Sequence, residues 1–390
     1  MEKVRFGIVG CGNIGTSHAK KLTEGKVENG VLTAVCDINP IKLDAFRKVY
    51  GDTIKYYSTA EEKFKTRDCD CVVIGVPHYD HPSLAILAMD NNLHCIVEKP
   101  AGIYTLQVEE MLERAKKSDK VLGIMFNQRT NPAFKKMREM IKDGKIGEVK
   151  RTNWIITNWY RSQYYYDTGD WRGTWAGEGG GVLYNQAPHQ LDLFQWIVGM
   201  MPTKIRAFCH FGKWHDIEVE DDVTTYVEYA NGATGTFITT TGDNPGTNRF
   251  EITLDRAKLV AEGEKLMLWE LPVATSEFTK TATTPFASQK AEYKEVETDG
   301  ENPQHSGVLN AFAAHILRGE PLIAGGEEGI NGLTISNAMH LSSWLGKMID
   351  IPFDDELYYN ELMKRVATSR RKENVTSVVA DTSDSYAGTK

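Results

Sequence analysis

The chain of 390 residues has no apolar run approaching the ~18–20 residues that span a bilayer, and no excess of positive charge. Lysine and arginine number 45 against 53 aspartates and glutamates, a net charge of -8. Nucleic acids and anionic membrane surfaces select basic patches, so no nucleic-acid or membrane partner is expected. Cysteine is sparse as well. Cys11, Cys36, Cys69, Cys71, Cys95 and Cys209 lie mostly inside apolar runs, where thiols behave as small hydrophobes. Cys69 and Cys71 have no second pair to complete a zinc site. Met1–Arg5 leads directly into an apolar strand, without a secretory h-region or a small-residue cleavage site. Reduced thiols and a cytoplasmic location are therefore expected. Internal repeats are absent.

What is present is an ordinary globular mixture, 41% hydrophobic and 25% charged, in a length that predicts two to three domains. The first ~125 residues alternate apolar runs with amphipathic stretches. Arg5–Val9, Val31–Cys36, Ile54–Tyr57, Cys71–Val76, His94–Val97 and Val121–Phe126 read as strands. Ile14–Leu22, Pro40–Val49, Pro82–Met89 and Leu106–Lys117 read as helices between them. Such alternation predicts right-handed crossovers and a parallel sheet. After a helix at Asn131–Lys142 the chain becomes strand-rich, with strands at Val149–Trp159, Ile205–His210, Val223–Tyr229, Thr234–Thr241, Arg249–Leu254 and Lys258–Glu262. Asn231-Gly232 marks a hairpin. Late helices are expected at Ser306–Arg318, Thr334–Met348 and 356–371. The fold class is α/β: a parallel-sheet domain over 1–126 and an α/β domain with a mostly antiparallel sheet over 127–371. The polar stretch 372–390 is read as a tail or an arm to a partner subunit.

Gly10-Cys11-Gly12-Asn13-Ile14-Gly15 follows the first strand and opens the first helix, the context that gives G-x-G-x-x-G its meaning. Gly10 permits the turn, Gly12 leaves room for a pyrophosphate, and Gly15 lets helix and strand close up. The helix N-terminus, at Asn13 and Ile14, offers amide donors to phosphate. Asp37 ends the second strand, where a carboxylate binds the adenosine ribose hydroxyls. No arginine follows it, so NAD is expected rather than NADP.

Glu98-Lys99-Pro100 closes the fifth strand, at the carboxyl end where ligands of open parallel sheets lie. A glycine run, Gly179-Gly180-Gly181, precedes an apolar helix on which Asn185 and His189 share a face at i and i+4. Asp192, three residues on, is placed to orient the imidazole. The Gly10–Gly15 turn, Val76-Pro77 with His81, Glu98-Lys99-Pro100 and the Gly179–Asp192 stretch together resemble the Gfo/Idh/MocA oxidoreductases, over roughly residues 3 to 365.

The resemblance implies that 1–126 is a Rossmann dinucleotide-binding domain, that 127–371 carries a large open sheet, and that the cofactor is a nicotinamide and the substrate a sugar, polyol or related compound. It implies a homodimer or homotetramer formed through the open C-terminal sheet. Pro77, His81, Glu98 and Lys99 join the cofactor site by the same resemblance. Lys99 matches the family's catalytic lysine and His189 its acid/base histidine. Asn185 stands where many members carry aspartate, so it can hold a hydroxyl but cannot change charge. Tyr160, Arg161, Tyr164, Trp171, Arg172 and Trp175 form a dense aromatic and arginine segment before the glycine run, suited to stacking on a sugar ring and binding hydroxyls. Arg129 is expected to touch substrate or brace Glu98, and His305 to reach the site from the C-terminal part. The expected reaction is reversible hydride transfer from a secondary ring hydroxyl. Its rivals are an NAD-recycling redox glycosidase or epimerase, with Tyr164, Tyr165 or His305 as a further base, and a non-catalytic NAD or sugar sensor.

Overall fold

The computed structural model describes residues 3–370 and Lys372. Six short strands, β1 (Val4–Val9), β2 (Gly30–Cys36), β3 (Lys55–Tyr57), β4 (Cys71–Ile74), β5 (His94–Val97) and β6 (Leu122–Ile124), form a sheet in the order β3-β2-β1-β4-β5-β6. Every pair in it is parallel. The helices Asn13–Thr23, Pro40–Tyr50, His81–Asp90 and Thr105–Lys116 alternate with the strands. They hold both faces away from water, which is why β4 is buried along its whole length. The strand order reverses between β1 and β4, so a crevice opens at the carboxyl ends of the strands. The expected alternation is what forms, with one further short helix at Ala60–Lys65.

The second sheet has nine strands: β7 (Val149–Ile156), β8 (Pro202–Phe211), β9 (Glu220–Tyr229), β10 (Thr234–Thr240), β11 (Asn248–Leu254), β12 (Ala257–Glu262), β13 (Lys265–Glu270), β14 (Glu292–Glu295) and β15 (Ile349–Asp350). Their order is β14-β13-β12-β11-β7-β10-β9-β8-β15, antiparallel except where β7 meets β10. Asn231-Gly232 turns β9 into β10 as expected, with Gly232 at φ 84°. β13, β14 and β15 had no clear signature: β14 is exposed at all four positions and β15 has two residues. One face of the sheet is core, with Trp154 stacked on Phe250 at 4.2 Å between ring centres. The opposite face of the same strands exposes Ile155, Phe208 and Tyr226.

The two sheets share material. Helix Gln304–Arg318, late in the chain, packs on the first sheet, burying Val308, Leu309, Phe312 and Ala313 with Val4, Phe6 and Ile8. Two expected helices are shorter or interrupted. The last ends at Val366. The Asn185–Trp196 stretch is two helices, Val182–Asn185 and Pro188–Trp196, because Pro188 lacks an N–H and its ring blocks a continuous turn. Residues 373–390, most of the expected tail, lie outside the described residues.

Arg129 joins these parts. It sits in the turn Asn127–Thr130 after β6, and its Nε and Nη2 donate to the two oxygens of Asp192 at 2.7 and 2.6 Å. Its Nη1 donates to Glu328 at 2.6 Å and to the Ile323 carbonyl at 3.2 Å. Arg129 and Asp192 are buried, and the guanidinium lies over Phe126 and Trp196. Two expectations are thereby corrected. Arg129 neither faces the crevice nor braces Glu98, since its four hydrogen bonds run to Asp192, Glu328 and the Ile323 carbonyl. Asp192 does not orient His189, since both carboxylate oxygens are taken by Arg129, with Gln195 adding a third bond. Arg129→Ala, which strands the Asp192 charge in the interior, should cost about 3–5 kcal/mol of stability in urea unfolding. Arg129→Lys should recover only part of it, because an ammonium cannot reproduce the two-pronged bond.

Candidate active site

The turn from β1 into the first helix is built by exclusion of side chains. Gly10 has φ 99°, and a Cβ there would meet the Gly75 carbonyl oxygen at 2.3 Å. A Cβ on Gly15 would meet the Gly10 carbonyl at 1.9 Å. Gly12 differs: a Cβ there would meet nothing within 4 Å. The space beyond it is open, and no side chain caps the helix that starts at Asn13, so its first amides are available to phosphate. Asp37 follows β2, with its carboxylate held by the Cys11 amide at 2.7 Å and the Asn39 amide at 2.8 Å. The Cys11 amide belongs to the glycine turn itself, so Asp37 is fixed beside that turn. The residues thus fit a dinucleotide.

Glu98 and Lys99 follow β5. Glu98 is buried and accepts from His18 Nε2 at 2.7 Å. Burial pushes its carboxyl up, but the His18 bond and charge, with His305 and Lys99, hold it down to about 2. His305, at the start of the late helix, meets His18 edge-on at 5.5 Å. It therefore stands behind Glu98. His81 places its Nδ1 2.7 Å from the Pro100 carbonyl and its Nε2 2.9 Å from the Val76 carbonyl. Instead of facing the cofactor, it ties the loop after β4, where Pro77 is exposed, to the turn after Lys99.

The partly buried Lys99 donates from Nζ to the Asn185 carbonyl at 2.8 Å, so β5 and the Val182–Asn185 helix converge. Burial lowers its pKa below 10.5, Glu98 opposes that, and Arg172 adds to it. His189 is buried, and neither ring nitrogen has a hydrogen-bond partner among the described residues. Burial first, then the Lys99 charge, depress the imidazole well below 6.5. A neutral, unpartnered imidazole beside an ammonium is a base next to an oxyanion stabiliser.

Arg172 donates to the Tyr165 hydroxyl at 2.7 Å and lies over the Tyr165 and Trp171 rings. Arg161 also stands over Tyr165, and Trp171 meets His78 edge-on at 5.8 Å. These residues wall the crevice near Lys99. Tyr160 and Tyr164 are exposed, at its outer rim. Trp175 is misassigned by the sequence: it is buried against Phe211, His340 and Trp344 and belongs to the core. Sequence reasoning also passed over His78, Gln186 and Glu178. Glu178 heads the glycine run, and a charge at the brink of an apolar segment was the available signal.

The model of the Gfo/Idh/MocA C-terminal domain matches residues 134–260, and that of the oxidoreductase family with an NAD-binding Rossmann fold matches residues 4–126. The chain belongs to the Gfo/Idh/MocA family of NAD-dependent oxidoreductases. The myo-inositol 2-dehydrogenase of Thermotoga maritima is 24% identical over 339 residues, 86% of this chain and 95% of that protein. The WlbA dehydrogenase of Chromobacterium violaceum, solved with NADH and UDP-GlcNAcA, is 27% identical with a TM-score of 0.78, covering 91% of this chain and 97% of that one. WlbA from Bordetella pertussis, solved with the same two ligands, is 25% identical with a TM-score of 0.75, covering 90% and 100%. Gly12→Ala should leave this oxidoreductase as stable as before, since the new methyl enters open space. The Kd for NAD, read by fluorescence titration, should rise at least about tenfold, some 1.4 kcal/mol.

Proposed function

We propose that this oxidoreductase oxidises a secondary ring hydroxyl of a sugar, glycoside or cyclitol, reversibly, with NAD. The observation that carries the reading is the buried, unpartnered His189 imidazole, close enough to Lys99 for the ammonium charge to depress it. NAD held by the Gly10–Gly15 turn and Asp37 supplies the hydride acceptor. His189, neutral across the working range, takes the hydroxyl proton. The Lys99 ammonium stabilises the alkoxide that develops, and keeps donors to spare after its bond to Asn185. Asn185 holds the hydroxyl. Trp171, Tyr165 and Arg172 wall the ring, with Arg161, Tyr160 and Tyr164 farther out. The inositol dehydrogenase relative and the UDP-sugar complexes of the WlbA dehydrogenases support a polyhydroxylated ring as substrate. The exposed Ile155, Phe208 and Tyr226 on the second sheet support a homodimer or homotetramer, and six unpaired buried thiols support a cytoplasmic setting.

The test is nicotinamide absorbance with NAD, and separately NADP, against monosaccharides, glycosides and inositols at mildly alkaline pH. NADH formation with one stereochemical group supports the reading. Substrate consumption or aglycone release without NADH would replace it with internal recycling, and no consumption of any ring would overturn it. Lys99→Ala should lower kcat roughly 10²–10³-fold while the NAD Kd stays within a factor of about two. In the wild type the rate should fall on the alkaline side before pH 10.5, as Lys99, with its lowered pKa, loses its proton.

A further inference from the structure

Glu178 is 1% exposed, yet its two oxygens bracket the site from behind. Oε2 accepts from the Gly173 amide at 2.6 Å, and Oε1 accepts from Asn185 Nδ2. Asn185 is only partly buried, and its own backbone carbonyl accepts from Lys99 Nζ at 2.8 Å. No hydrogen bond among the described residues occupies Asn185 Oδ1. The charged and titratable groups around Glu178 are Arg172, Lys99, Glu220 and Tyr166, and His78 Nδ1 lies 3.3 Å from its backbone oxygen.

We infer that Glu178 is a proton-linked positioning residue that decides which end of the Asn185 carboxamide faces the ring hydroxyl beside the reacting one. The inference rests on the dehydrogenase reading above. An ionised carboxylate only accepts, so Asn185 must turn Nδ2 toward it and present Oδ1 to the crevice. That orientation accepts a hydrogen bond from the ring hydroxyl beside the reacting one, whose own proton goes to His189, and so holds the alcohol in register for oxidation. A protonated Glu178 donates one O–H. The carboxamide then turns over, accepts that bond at Oδ1, and presents Nδ2, a donor that cannot accept the neighbouring hydroxyl's proton. Burial pushes the Glu178 carboxyl up to about 7, against the opposing pull of Arg172, the Gly173 amide and Asn185. The change of orientation therefore falls near neutral pH, and the oxidation-ready form is lost as pH falls through that value.

The test is the pH profile of kcat/KM for alcohol oxidation by the full-length enzyme with NAD, on the ring substrate that the absorbance panel selects. The wild type should show an acid limb near 7. Glu178→Gln should abolish that limb and lower kcat/KM at pH 8 about tenfold, the loss of one oriented hydrogen bond. Glu178→Asp should keep the limb. Asn185→Ala should abolish it although Glu178 remains, a result that a purely structural role for Glu178 does not produce. An unchanged limb in folded Glu178→Gln overturns the inference, and an unchanged limb in Asn185→Ala does so if Glu178→Gln fails to fold. Should no ring alcohol be oxidised, the dehydrogenase reading fails separately. Infrared difference spectra of the substrate-free NAD complex then decide. A carboxyl band that appears as pH falls through about 7, with an amide shift missing from Asn185→Ala, supports the switch. Absence of the band or of the shift overturns it.

Discussion

The two-pronged bond between Arg129 and Asp192 is the constraint on which the rest of the site depends. Lys99 is delivered by the first sheet, and His189 by a helix that packs with the second. Apolar contact between Phe126, Leu191 and Leu333 is not directional in itself. The guanidinium fork admits one register only, because both Asp192 oxygens and the Glu328 carboxylate must be met at once. Buried ion pairs contribute little net stability over well-packed apolar residues, and their value lies in specifying an arrangement. Here the arrangement specified is the one that brings an imidazole to an ammonium.

A second tie joins the cofactor end to the chemical end. His18 lies on the helix whose N-terminus faces the phosphates, and it bonds Glu98, the neighbour of Lys99. A shift of that helix would therefore be felt at Lys99. Because the folded Glu98 pKa lies near 2, below the ordinary 4.5, the stabilisation is full above 4.5 and is lost only as pH falls toward 2. The tie thus holds throughout the range in which hydride transfer would run. His305, meeting His18 edge-on from the late helix, brings a late part of the chain into the same cluster.

Much of this was legible in the residues. Parallel strands buried on both faces are continuous apolar runs, so the first sheet could be read strand by strand. Gly10, Gly12 and Gly15 could be read because each carries a distinct backbone demand. Lys99 and Asn185 were placed together, and they do meet. What could not be read shares one cause: long-range pairing leaves no local trace. Arg129 looks like a substrate ligand until Asp192 is seen beside it, and Trp175 looks like a sugar platform until His340 and Trp344 close over it. The edge strand β14, exposed at all four positions, lacks the alternation that marks a half-buried strand. His189 was read as one face of a continuous helix with Asn185, and Pro188 breaks that helix while the tertiary fold keeps the two near Lys99.

The asparagine at position 185 gains a reason from its neighbour. An aspartate there would set two carboxylates in hydrogen-bond contact, and like charges so placed cannot both ionise near neutrality. The chain instead holds its carboxylate one layer back, at Glu178, and puts a neutral amide in front. Lys99 feels the charges of Glu98 and Glu178 on one side and of Arg172 on the other, so the carboxylates help it keep its proton against burial. Depth also matters. A charge buried among protein atoms is screened by salt far less than an exposed one. The field of Glu178 on Lys99 and on the Asn185 amide is therefore set by the packing of the glycine run, and the proton affinity of the site is a property of the fold more than of the surrounding medium.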